Sequence, residues 1–113
     1  MAEEPKITAY SEFWPYYLRE HAQPMTRNFH YLGTSLAFFS VVGFIAFGKL
    51  WLLLAALIAG YGPAWMGHFF VEKNRPATFR YPLWSLFSDF RMAWDWLSGT
   101  LGEELSKAGI SPR

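Results

Sequence analysis

The chain has no cysteine. That absence excludes disulfides, thiolate catalysis, zinc fingers and iron–sulfur clusters together, and it leaves the redox compartment undetermined. Any metal would have to be held by histidine, carboxylate or water. Charge is also scarce: 17% of residues are charged, against about 25% in an ordinary soluble domain. Ten basic and nine acidic residues leave a net charge of +1, too small for a broad electrostatic field, so nucleic acid is not an implied partner. The start, Met1-Ala2-Glu3-Glu4-Pro5-Lys6, lacks the basic-then-apolar layout of a secretory signal, so the apolar segments downstream are expected in the mature protein. Internal repeats and low-complexity tracts are absent as well.

What the chain does contain is aromatic and aliphatic. Aromatics make up 20% of its 113 residues, a lipid-leaning composition. A chain of this length makes one domain, residues 1–113, near the lower limit for burying an adequate core unaided. Support from a membrane, a metal or a second copy of the chain is therefore in keeping with its size.

Tyr10, Phe13, Trp14, Tyr17, Leu18 and His21 recur at spacings of three and four, which predicts an amphipathic helix over about 10–22. A start at Ser11 would place Pro15 just past the first turn. Gln23-Pro24 then interrupts the helix, because the residue before proline avoids the helical region. Residues 32–47 and 50–66 carry no charge at all, and Gly48-Lys49 separates them. Each run is slightly short of the roughly 20 residues that span a bilayer, and reaches 18 or more once residues 29–31 and 67–70 are added. The simplest arrangement is an antiparallel apolar hairpin, about 29–47 and 50–70. Its rival is a buried hairpin in a soluble protein. Basic residues favour the membrane: Lys6, Arg19 and Arg27 precede the hairpin, six follow it, and only Lys49 lies at the turn, which places both termini in the cytoplasm. Beyond Arg75-Pro76 and Tyr81-Pro82, apolar residues at 83, 86, 87, 90, 94 and 97 predict an interfacial helix over about 83–98, and residues 103–113 read as a polar tail. The fold class is thus all-α, a small membrane-embedded helical bundle whose hairpin is flanked by two interfacial helices.

His21, His30 and His68 all lie outside the uncharged runs. Folding at Gly48-Lys49 puts His30 and His68 both about 27 to 29 Å from the turn, at one membrane surface. The break at Pro24 lets His21 reach the same level. Three imidazoles and Glu72, four residues past His68, can therefore converge; imidazole and carboxylate without thiolate suit iron, manganese or zinc, and open positions suit non-haem Fe(II) oxygen chemistry. A lone histidine at an interface is more often only an amphipathic residue, and Glu72 has Lys73, Arg75 and Arg80 as rival partners. Asp89 is either solvated or capping, or else orients a ligand histidine. Arg27, Lys73, Arg75 and Arg80 are either anchors for lipid phosphate or partners for a substrate carboxylate.

These stretches resemble the Mpo-like family, formerly a domain of unknown function. The resemblance rests on residues 17–21 (Tyr-Leu-Arg-Glu-His) with Pro24, and on residues 27–34, from Arg27 through His30 to Thr34. It continues with residues 65–79, from Trp65 through His68 to Phe79, and with residues 81–86 together with Asp89 and Phe90. Members are Fe(II)-dependent dioxygenases that shorten 2-hydroxy fatty acids by one carbon in α-oxidation, with histidines needed for activity. The resemblance therefore implies His21, His30 and His68 as catalytic and metal-binding residues, Fe(II) as cofactor, and a 2-hydroxy fatty acid and O2 as partners beside membrane lipid. To these the reading of the residues adds Glu72 as a fourth candidate ligand and Arg27, Lys73 and Arg75 as candidates for holding the carboxylate. The expected location is an integral membrane protein, in the inner membrane of a bacterium or the endoplasmic reticulum of a eukaryote. Two alternatives stand beside this one: a non-catalytic membrane-shaping hairpin, and a bis-histidine haem protein using His30 and His68.

Overall fold

Proline and glycine punctuate the helices where their backbone chemistry requires. The structure, a computed structural model, describes residues 6–111. It contains α1 (Tyr10–Arg19), α2 (Pro24–Phe47), α3 (Trp51–Met66), α4 (Pro82–Ser98) and α5 (Leu101–Lys107), with no strand among the described residues. Pro24 and Pro82 each open a helix, where a missing N–H costs nothing. Gly48 (φ 66°) ends α2 and Gly99 (φ 83°) ends α4 in the left-handed region that glycine enters freely. The all-helical fold and the apolar hairpin are as the sequence predicts.

Three details differ. The first helix starts at Tyr10 and carries Pro15 in its interior. The helix over 51–66 continues through Pro63 and then into a π-helical turn, Gly67–Glu72, before a short 3-10 turn, Ala77–Phe79. Residues 101–107 form α5, which takes in the first part of the polar tail expected over 103–113, because Leu101, Leu105 and Ala108 recur at helical spacing and bury against α1 and α4.

Burial is inverted relative to an ordinary soluble protein. The core of Phe13, Trp14, Tyr17, Leu18, Tyr81, Met92, Leu101 and Leu105 lies among α1, α4 and α5, in a cap beside the hairpin. The hairpin itself exposes Phe39, Ile45, Phe47, Leu50, Trp51, Leu54 and Ile58. Both its helices, Pro24–Phe47 and Trp51–Glu72, are long and apolar enough to cross a membrane, and only 17% of each apolar window is buried. The aromatic stripe of α4 faces outward too: Leu83, Leu86, Phe87, Phe90, Trp94 and Leu97 are exposed, while Ser85, Ser88 and Met92 are buried. Within the hairpin, α2 and α3 touch closely at Gly33, where a Cβ would stand 2.7 Å from the Ala59 carbonyl oxygen. That carbonyl is the one Pro63, with no N–H, cannot satisfy in the helical pattern.

Candidate functional site

The three histidines meet where the cap joins the hairpin. His21 lies in the corner between α1 and α2, His30 in the second turn of α2, and His68 in the π turn, a distortion that recurs at functional sites. All three side chains are buried. His21 Nε2 is 3.0 Å from His30 Nε2, which is 3.1 Å from His68 Nε2. One ligand atom from each lies within 4.8 Å of the others.

The opposite ring nitrogens each meet an acceptor. His21 Nδ1 is 2.6 Å from the Tyr17 carbonyl, which can only accept. His68 Nδ1 is 2.7 Å from Asn74 Oδ1, and Asn74 is held in that orientation because its Nδ2 donates to the Glu20 carbonyl at 3.0 Å. His30 Nδ1 faces the Asp89 carboxylate at 3.3 Å. Each Nδ1 thus carries a hydrogen toward an acceptor, so in the neutral rings each Nε2 presents a lone pair to the others. Burial, and after it the two neighbouring imidazoles, holds His21 well below the ordinary histidine range. The Nε2 atoms of His21 and His68 both face that of His30, an unfavourable contact of like groups.

A cation removes that conflict. Two nitrogens about 2.1 Å from one ion stand about 3.0 Å apart at a right angle and about 3.4 Å apart at the tetrahedral angle. The separations of 3.0 and 3.1 Å lie within the reach of one ion. The residues therefore fit a metal, with every outer nitrogen oriented by a partner as ligand histidines require. They do not fit a haem held by His30 and His68, since axial ligands about 2.0 Å from an iron on opposite sides would be about 4 Å apart.

The remaining candidates sit elsewhere. Glu72 does not join the cluster; its carboxylate accepts the Gln23 N–H, because the first N–H groups of α2 lack helical partners and attract a negative charge. Arg27 is buried, and its Nη1 donates to the carbonyls of His21 and Ala22, both at 2.8 Å, bracing the His21 corner. Lys73 is exposed at φ 62° and closes the π turn through its N–H to the His68 carbonyl; Arg75 is also exposed.

Other groups were not singled out by the sequence. Tyr17 donates its hydroxyl to Asp89 and stacks on His21 with ring centroids 4.1 Å apart. Its burial, then the Asp89 carboxylate, pushes the phenol well above its usual range, so it remains a donor. Ser85 is buried, lines the histidine chamber, and its hydroxyl has no partner among the described residues. No periodicity marks Asn74 or Ser85, for both depend on how the turn over 73–81 returns to the hairpin. The chamber is small, about 10 Å³, roughly the space of one water.

A protein-family model described as 2-hydroxy-palmitic acid dioxygenase Mpo1-like matches residues 7–101, a stretch that includes all three histidines, Asn74, Ser85 and Asp89. No curated protein and no solved structure gives a match.

Proposed function

The chain belongs to the Mpo1-like family, and from that premise we propose that it is a membrane-bound, Fe(II)-dependent dioxygenase of 2-hydroxy fatty acids. The observation that carries the metal reading is that His30 Nε2 lies within 3.1 Å of the Nε2 atoms of both His21 and His68, with all three Nδ1 atoms occupied. Three imidazoles without thiolate suit iron, manganese or zinc, and the dioxygenase family favours iron among them. His21, His30 and His68 would hold the ion. Bound there, Fe(II) would supply O2 activation and an anchoring point for the hydroxyl and carboxylate of the substrate.

The chain's own residues have distinct tasks. The Tyr17 carbonyl, Asp89 and Asn74 fix the three rings. The unpartnered Ser85 hydroxyl is the group that hydrogen-bonds the polar head of the acid. The small buried chamber keeps bulk water out. In overall balance, one 2-hydroxy acid and one O2 give the acid one carbon shorter, CO2 and water. Lys73 and Arg75, exposed just past the π turn, are placed to meet lipid phosphates. The hairpin would cross the membrane with both termini and the chamber on the cytoplasmic side.

The test is purified protein loaded with Fe(II) under anaerobic conditions and then given O2 and 2-hydroxypalmitate. Consumption of O2 matched by a 15-carbon acid is expected, together with loss of iron content on replacing His21, His30 or His68 with alanine. Iron-free protein that takes up none and turns over no 2-hydroxy acid would end this reading.

A further inference from the structure

Beside the histidine chamber runs a second, larger space of about 520 Å³, lined from α2, α3 and α4. Its lining steps down one side of each hairpin helix: Thr34, Phe38 and Val41 on α2, and Tyr61, Leu57 and Leu53 on α3. Tyr61 and Asp89 line both spaces, so the groove opens from the chamber. The polar groups of the groove gather at that end. Asp89 is in contact with His30, Thr34 is one helical turn beyond His30, and the far end at Val41 and Leu53 is wholly apolar. At 1.5 Å per residue Val41 lies about 16 Å along α2 from His30, and Leu53 about 22 Å along the hairpin from His68. One leaflet of a bilayer's hydrocarbon core, about 15 Å of its 30 Å, is the depth filled by a long acyl chain.

We propose that this groove is the binding site for a single long alkyl tail whose polar head lies at the groove's chamber end, beside Tyr61 and Asp89, with Val41 and Leu53 setting the length accepted. The inference rests on the dioxygenase reading for the identity of the head group. A polarity gradient along one groove, continuous with a buried polar chamber, matches an amphiphile lying in one direction. Loosely adsorbed lipid would instead spread over all of the exposed apolar surface, reaching Phe39, Ile45 and Ile58, which do not line the groove, as readily as Leu57 and Phe38, which do.

The experiment is photo-crosslinking of the full chain in nanodiscs with 2-hydroxypalmitate carrying a diazirine at its last carbon, read by peptide mass spectrometry. Label is expected on the segments holding Val41 and Leu53, competed by unlabelled 2-hydroxypalmitate and not by added phospholipid. In parallel, competition by 2-hydroxy acids of increasing length should strengthen about threefold to fourfold per methylene and level off at the length that reaches Val41. Val41→Trp should move that plateau to shorter acids without weakening short ones, its helicity and iron content confirming that it is folded. Label centred on Phe39, Ile45 or Ile58, or a plateau that Val41→Trp leaves in place, would overturn the groove assignment. Should O2 uptake fail while labelling and the length plateau persist, the dioxygenase reading falls and the tail site stands.

Discussion

Asp89 binds two partners with one carboxylate, His30 through its Nδ1 and Tyr17 through its hydroxyl. Losing such an orienting partner typically costs a metal site about 10-fold to 100-fold in affinity. Asp89→Asn keeps the shape and removes the charge, so iron affinity measured by competition with a chelator should fall by about that factor while helicity is retained; equal affinity in the variant would remove Asp89 from the site. His21 gives a second expectation. Its folded pKa is depressed below the unfolded value of about 6.5. The folded metal-free protein therefore binds fewer protons than the unfolded chain, its stability is fullest above that value, and it is lost as pH falls from about 6.5 toward the folded pKa. Thermal unfolding of the metal-free protein should move to lower temperature between pH 7.5 and 5.5, and the trend should flatten in His21→Gln. The convergence of the histidines was legible in the sequence because hairpin arithmetic needs only helix rise and one turn. The parts played by Asn74 and Ser85 were not, since they are fixed by the irregular return over 73–81, and Glu72 was drawn off by the start of α2, a competition that sequence spacing does not reveal.

At the level of the helices, Gly33 decides how near α2 and α3 can come. Helix propensity alone would make Gly33→Ala favourable by about 1 kcal/mol. A Cβ 2.7 Å from the Ala59 carbonyl forces the helices apart, an overpacking that costs about 1 to 3 kcal/mol. The clash wins, so Gly33→Ala should lower the unfolding temperature, whereas Gly60→Ala, whose new Cβ meets only Ala37 Cβ at 3.4 Å, should be neutral or stabilising. Similar melting temperatures for the two variants would show that the contact at Gly33 is loose. Element existence was readable wherever periodicity ran long. The short α5 escaped because three apolar residues among Gly, Glu, Ser and Lys are too few to stand out, yet Leu105 is 1% exposed and fully part of the core. The apolar stripe of α4 was plain in the sequence, and its exposure is what an interfacial helix over 83–98 requires.

The molecule as a whole, 43 × 36 × 28 Å, places its aqueous-type core in the cap and its greasiest surface on the hairpin. Exposed apolar surface of that extent marks contact with a membrane or a partner. If the hairpin crosses the bilayer, Lys49 and the cap lie on opposite sides. A chain without cysteine makes the check simple: single cysteines placed at Lys49 and at Ser98 should be labelled by an impermeant maleimide from opposite faces of sealed vesicles, and labelling of both from one face would show a hairpin that does not span.

The three histidines come from three separate stretches of chain, and an ion held among them would fasten the cap to both legs of the hairpin. Mechanically this is a cross-link, closing the chain between residues 21 and 68 much as a disulfide restricts the unfolded chain. Such a clasp would be opened by a chelator. In a protein that has no sulfur bridge to rely on, the supply of metal would then govern how firmly its two halves are joined.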